Sequence, residues 1–375
     1  MFTVKNHVRG KPTAQPEFLT VISLNQRVPT DHPLRGIKQR VDGILARLSP
    51  FFDQLYAQEG RPSIPPEQLL KSRIIMALYS VRSERLYCEQ LAYNLLWLWF
   101  LDRELDQGSF DATVFSHNYE RVLSADAAKL FFAEVYDLSC QEGWTSDAHF
   151  TSDGTLIEAW ASMKSFVKKD SGPKGPEDPD ADPGNPTVNF RGEKRSNATH
   201  HSTTDAESVL YRKGKGKESK LCFGAQVLME NRQGLCVAIT IHNPITQDEP
   251  TVALAQVDEH RQSFQAPVQT IGADKAYHQQ KFVSGCRERG IKPHVACKDQ
   301  VKVQGVDGRT TSSRGYQTSR RVRKRVEEIF GWMKTVGGLR RTRYRGTERT
   351  QAWAYFVGST YNLLRLAKLG AVSPG

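Results

Sequence analysis

The sequence lacks closely spaced cysteines. Cys88, Cys140, Cys222, Cys236, Cys286 and Cys297 are scattered, and no two form a CxxC pair. This argues against a zinc knuckle and a disulfide framework and leaves buried free thiols as the expected role. Long apolar runs are also missing. The longest, Leu95 to Leu101, has 7 residues, far short of the ~20 that a helix needs to span a bilayer. The N-terminus shows no charged-then-apolar leader pattern. No membrane role is therefore expected, and the expected location is the cytoplasm. Acidic residues are in deficit: 41 Asp and Glu face 52 Lys and Arg, giving a formal net charge of +11.

That cationic excess is concentrated. Arg320 to Arg349 holds eleven Lys/Arg against three Asp/Glu. A basic strip of this kind is the footprint of a polyanion, with nucleic acid first and an anionic membrane second. The strip opens with RRVRKRVEEIFGWMK, Arg320 to Lys334. Val322, Val326, Ile329, Phe330 and Met333 form one stripe at helical period, the face turned to a core. Arg323, Glu327 and Lys334, spaced i, i+4 and i+11, share one side beside that stripe. A surface helix with ordinary charge pairs is the plain reading. A metal-binding Glu327 flanked by phosphate-holding cations is the sharper one.

The 375 residues allow two or three domains. Residues 1–30 hold no sustained period and read as an arm. Residues 31–145 read as an all-helical N-terminal domain. Within it Ser63-Ile-Pro-Pro-Glu starts a helix, Ser83 to Leu101 reads as another, and Trp97, Trp99 and Phe100 read as core. Near residue 146 the period changes from 3.6 to 2. His149 to Ala159 is then a strand carrying Asp153. A polar insertion at about 168–200 follows, and His200-His201 reads as part of that solvated loop. A hairpin is expected around Asn231-Arg-Gln-Gly, between Leu221 and His242. Strands over Val268–Ala273 and Lys292–Cys297 alternate with helices after it.

Three antiparallel strands followed by parallel crossovers is the ribonuclease-H-like order. The expected fold is thus α plus α/β: the helical domain, then a ribonuclease-H-like domain over 146–370 with a mixed five-stranded sheet. In that order Asp153 lies on the first strand, Asp274 ends the fourth, and Glu327 lies on the helix after the fifth. Three carboxylates remote in sequence would meet. Asp153 is preferred to Asp147 and Glu158 because Gly154 follows it and leaves room for close approach. Carboxylates suit Mg²⁺, with Mn²⁺ as a substitute, and two such ions support attack on a phosphodiester.

The quoted motifs are similar to those of the DDE-class transposases of bacterial insertion sequences, in the IS-five-like branch. The N-terminal ones are Gly60-Arg-Pro-Ser-Ile-Pro-Pro-Glu, Ser83-Glu-Arg and Asp111-Ala-Thr-Val-Phe-Ser. The catalytic ones are Asp153-Gly-Thr-Leu-Ile-Glu-Ala, Gly272-Ala-Asp274-Lys-Ala-Tyr and Val326-Glu327-Glu-Ile-Phe-Gly-Trp-Met-Lys334. Tyr344-Arg-Gly and Tyr361-Asn-Leu complete the set. The family sets a Tyr three residues before the Arg matched by Arg323; here that position is Arg320. The resemblance implies catalytic and metal-binding roles for Asp153, Asp274 and Glu327. It implies cleavage at terminal inverted repeats and transfer of the freed 3′-hydroxyl ends into target DNA. The expected partner is double-stranded DNA, both repeat and target. It would be bound by two or more copies of the chain in the bacterial nucleoid. Arg320, Arg323, Lys334, Arg340, Arg341, Arg343 and Arg345 are the expected DNA contacts. An endonuclease that cuts without joining and a non-catalytic DNA-binding protein are the alternatives.

Overall fold

The computed structural model describes residues 23–372, apart from 58, 61, 170–194, 215 and 299–300. Most of the expected arm and most of the polar insertion lie outside the described residues. The first described element is the short α1 (Leu24–Arg27), whose N-cap Ser23 accepts the Gln26 N–H. In α2 (Leu34–Asp53) Leu34, Ile37, Val41, Ile44, Leu45, Leu48 and Phe52 are buried, the three- and four-residue spacing of an inward face. α3 (Pro66–Leu78) starts after Pro65 and is enclosed from Leu69 to Ala77. Lys71 and Arg73 are enclosed with it, each only 4% exposed. Charges so buried need partners. Lys71 pairs with Asp42 and Asp102, and Arg73 pairs with Glu84 at 2.7 Å.

The helix expected over Ser83–Leu101 is two helices, α4 (Glu84–Leu91) and α5 (Leu95–Phe100). The break follows from Asn94, whose side chain accepts the Trp97 N–H and starts a new helix. Trp97, Trp99 and Phe100 are core, and Trp97 stacks on Tyr87 at 5.4 Å. After α6 (Thr113–His117) and a π-helical turn (Tyr119–Leu123), α7 (Ala125–Gln141) ends the helical half.

The second half supplies β1 (Phe150–Glu158), β2 (Phe166–Lys168), β3 (His200–Ser202), β4 (Val209–Tyr211), β5 (Lys220–Glu230) and β6 (Leu235–His242). α8 (Glu249–Phe264), β7 (Thr270–Ala273), α9 (Gln280–Glu288) and β8 (Lys292–Val295) follow. In the main sheet β6 pairs with β5, and the order continues β5-β1-β7-β8. β1 and β6 run antiparallel to β5, whereas β7 and β8 are parallel to β1. These are the five expected strands in the ribonuclease-H-like arrangement. The short β4, pairing with the start of β5, is a sixth that was not foreseen. β2 and β3 form a separate ribbon. His200 is therefore not part of a solvated loop: it is 7% exposed and stacks on Phe166 at 5.4 Å.

α10 (Gly308–Thr311), α11 (Arg314–Val322), α12 (Val326–Thr335) and α13 (Thr347–Val372) complete the chain. Arg320 to Lys334 is helical throughout, but Arg323–Arg325 tightens into a 3₁₀ turn between α11 and α12. One sheet face packs on α8 and α9 through Phe150, Leu228, Ile271, Val257 and Phe282. The other packs on α12 and α13 through Ile157, Val227, Ile329, Met333 and Phe356. The same apolar cluster runs on into Val41, Ile44, Ile74 and Phe131 of the N-terminal helices. The switch from helix to strand near residue 146 is thus not a gap in packing. Two of the quoted motifs also meet here: Tyr344 Oη donates to Glu84 Oε1 at 3.1 Å and accepts from Arg73 Nη1 at 2.9 Å. Cys88, Cys222, Cys236 and Cys286 are buried thiols. Among the described residues no helix is long and apolar enough to cross a membrane.

Candidate active site

The register of β1 against β7 pairs Phe150 with Ile271 and Thr151 with Gly272. Carried on by two residues, it sets Asp153 beside Asp274 just past the end of β7. Neighbours across a parallel pair point to the same face. That face is the one covered by α11, because a Cβ on Gly272 would lie 2.5 Å from Ser319 Oγ. Asp153 Oδ1 accepts the Gly154 N–H at 2.8 Å. Asp274 Oδ1 accepts the Ala276 N–H at 2.7 Å and caps the 3₁₀ turn Lys275–Tyr277. Burial and then the charge of Asp274 raise the Asp153 carboxyl above its ordinary range, against smaller opposing effects of the Gly154 N–H, Lys213 and Arg323. Two anions share one partly buried site.

α12 lies across the same face. Val326, Ile329 and Met333 are buried under it, and Lys334 Nζ donates to Thr155 Oγ1 at 2.6 Å. Thr155 is one pleat beyond Asp153 and points the same way. Lys334 thus faces this strand, and the charge of Arg323 acts weakly on Asp153. Glu327 lies between these two cations in sequence and on the same helical side, with its side chain exposed. The structure thus brings Asp153 and Asp274 together and leaves Glu327 in solvent. Among the described residues no three His, Cys, Asp or Glu are arranged to hold an ion as they stand. The Asp153–Asp274 pair itself fits a hard divalent cation: its donors are carboxylate oxygens, and a cation would relieve their repulsion. Glu158, the alternative on β1, is engaged elsewhere and pairs with Lys220 at 2.6 Å.

Beside the pair is an open cleft of about 500 Å³, lined by Lys213, Lys217, Lys220, Lys334, Arg340, Glu158 and Glu218, among others. Lys213 Nζ donates to the Gly154 carbonyl at 3.0 Å, linking the cleft to the acid pair. Burial, then the charges of Lys213 and Arg340, push the Lys334 ammonium below its ordinary value. The sequence reading missed Lys213, Lys217 and Lys220. They stand outside the basic strip and resemble solvated loop charges until the β4–β5 pairing brings them to one cleft with Lys334.

The basic loop divides. Arg340 lines the cleft, and Arg345 is exposed. Exposed Arg341 lies over the Trp160 ring at 5.1 Å, and exposed Arg320 lies over Tyr316 at 5.9 Å. Arg343 does not belong with them. Its Nη1 donates to the Val81 carbonyl at 2.8 Å, and its guanidinium packs on the Trp353 ring at 4.1 Å. Those contacts hold the loop against Val81 and Trp353.

Residues 22–121 match the family described as Transposase domain (DUF772), and residues 195–363 match the family described as Transposase DDE domain. The chain belongs to the DDE transposases. Asp274 and Glu327 fall inside the second match, and Asp153 precedes it. A DDE domain implies an enzyme that cuts and joins DNA and depends on a divalent metal. No curated protein matches the chain. Among solved structures the transposase is similar to the piggyBac transposase synaptic complex with hairpin DNA. The identity is 8% and the TM-score 0.41, over 90% of this chain and 75% of that one. It is also similar to the Mos1 transposase paired-end complex with left transposon end, at 8% identity and TM-score 0.20, over 82% of this chain and 80% of that one.

Proposed function

We propose that this transposase cuts at the terminal inverted repeats of an insertion sequence and joins the freed 3′-hydroxyl ends to target DNA. The observation that carries this reading is the Asp153–Asp274 pair, set side by side by strand register. Asp153 and Asp274 would hold Mg²⁺, or Mn²⁺ in its place, with Glu327 reaching in from α12. When bound, the metal activates the attacking oxygen and relieves charge on the leaving one. Arg323 and Lys334 hold the phosphate at the acids and balance the charge that builds during attack. Lys213, Lys217 and Arg340 extend this cationic path along the cleft, so one DNA backbone can follow it away from the cut. Lys220 is the most neutralised of these cations, since Glu158 and Glu218 both face it.

In this reading residues 31–145 contribute recognition of the element ends and residues 146–370 carry the chemistry. An element has two ends to cut, so two or more copies act together on DNA. The test is a plasmid bearing both terminal repeats, incubated with the full chain and Mg²⁺, followed by strand transfer from pre-cut ends. Nicking that Asp153→Asn or Asp274→Asn abolishes, together with joining, supports the reading. Nicking without joining would leave an endonuclease, and no nicking would leave a DNA-binding protein.

A further inference from the structure

Gly154, next to Asp153, reads in sequence as room for a ligand. In the fold that room is taken. A Cβ on Gly154 would lie 2.6 Å from Cδ of Glu249 and 3.0 Å from Oε1 of Gln226. Glu249 is the first residue of α8, 95 positions along the chain, and its carboxyl rests against β1 from the face opposite α12. Gln226 is wholly buried, and its Oε1 has no hydrogen-bond partner. Its Nε2 lies 2.6 Å from Ser152 Oγ and 2.5 Å from Tyr277 Oη. Turned through 180°, the amide would accept both hydroxyl protons and donate its NH₂ toward the Glu249 carboxylate. Ser152, Tyr277 and Gln226 then each have a partner. Burial raises the Glu249 carboxyl above its ordinary range; the charge of Lys213 opposes this, and those of Asp153 and Asp274 add to it.

We propose that Glu249 is a positioning residue of the metal centre: a further negative charge behind the Asp153–Asp274 pair, seated in the space left by Gly154, that draws a divalent cation to the pair without ligating it. The inference rests on the reading of that pair as the metal site. The glycine is then required because a side chain there would displace the carboxylate.

The experiment is Mn²⁺ binding to the full chain without DNA, followed by the loss of the free-ion electron paramagnetic resonance signal. Four variants are compared with the wild type: Asp153→Asn, Glu249→Gln, Glu249→Asp and Gly154→Ala, each first shown to be folded by circular dichroism. Groups one shell out from a metal typically change affinity by about 10–100-fold. Glu249→Gln should therefore weaken Mn²⁺ binding by about tenfold or more. Gly154→Ala, which leaves both aspartates intact, should do the same. Glu249→Asp, which keeps the charge, should lie nearer the wild type. Affinity within about twofold of wild type in Glu249→Gln, alongside loss of binding in Asp153→Asn, would overturn the role of Glu249 alone. Unchanged binding in Asp153→Asn would overturn the metal-site reading and this inference with it.

Discussion

The buried Arg73–Glu84 pair ties the N-terminal helices to the loop before α13, and it should show itself as an acid-dependent loss of stability. Arg73 is enclosed, and Glu84 is about a quarter exposed, with side-chain exposures of 4% and 25%. Burial alone would raise the Glu84 carboxyl, but the charge and hydrogen bond of Arg73 outweigh it, and the carboxyl is held at about 2 against an ordinary 4.5. Each pKa unit corresponds to about 1.4 kcal/mol. The drop is therefore worth roughly 3 kcal/mol, reduced to roughly 2–3 kcal/mol by residual contact with water. Because the folded value lies below the unfolded one, this contribution is complete above about pH 4.5 and is lost as the pH falls toward 2. Glu84→Gln removes the charge, keeps an acceptor for Arg73, and leaves a buried guanidinium without its counter-ion. Urea unfolding of wild type and variant at pH 7, 4 and 3 would measure the gap. It should be about 2–3 kcal/mol at pH 7 and should shrink as the pH falls. A gap under about 0.5 kcal/mol at pH 7, or one that stays constant across this range, would refute the reasoning.

Four further outcomes are expected. Asp153→Asn and Asp274→Asn should each abolish Mg²⁺-dependent nicking and leave DNA binding within about threefold of wild type in a gel-shift titration. Removing the cleft cations one at a time, as Lys213→Ala or Lys217→Ala, should lower the slope of log binding constant against log salt by roughly one unit each. Lys334→Ala should lower the cleavage rate by about tenfold or more, since its ammonium faces the strand that carries Asp153. Arg343→Ala should act on stability: it strips the Trp353 ring of its cation and the Val81 carbonyl of a donor, so the melting temperature should fall while the salt slope of DNA binding stays unchanged.

Period and punctuation were legible in the chain alone, because they are local. The stripe of Val326, Ile329 and Met333 repeats within a helical turn, the alternation around Asp153 repeats within a pleat, and both survive in the fold. Strand order followed from the succession of these periods, and it was enough to put Asp153 and Asp274 forward as candidates among 41 acidic residues. Their adjacency also needed the parallel register of β1 against β7, which the flanking crossovers imply. Other features depended on which distant surface a side chain meets. Arg343 sits in a basic loop and reads as a DNA contact, yet Trp353 and Val81 claim it. His200 reads as a loop residue until Phe166 stacks on it. The start of β5 brings Lys220 to the cleft, and the short β4 brings Lys213. Helix α8 brings Glu249 to the gap at Gly154. None of these pairings has a period or a motif to announce it, because burial and long-range charge are properties of the packed chain. The sequence by itself determined most of the elements and put the two aspartates forward as candidates; the tertiary structure alone decided which charges are taken up in holding the fold and which stay exposed.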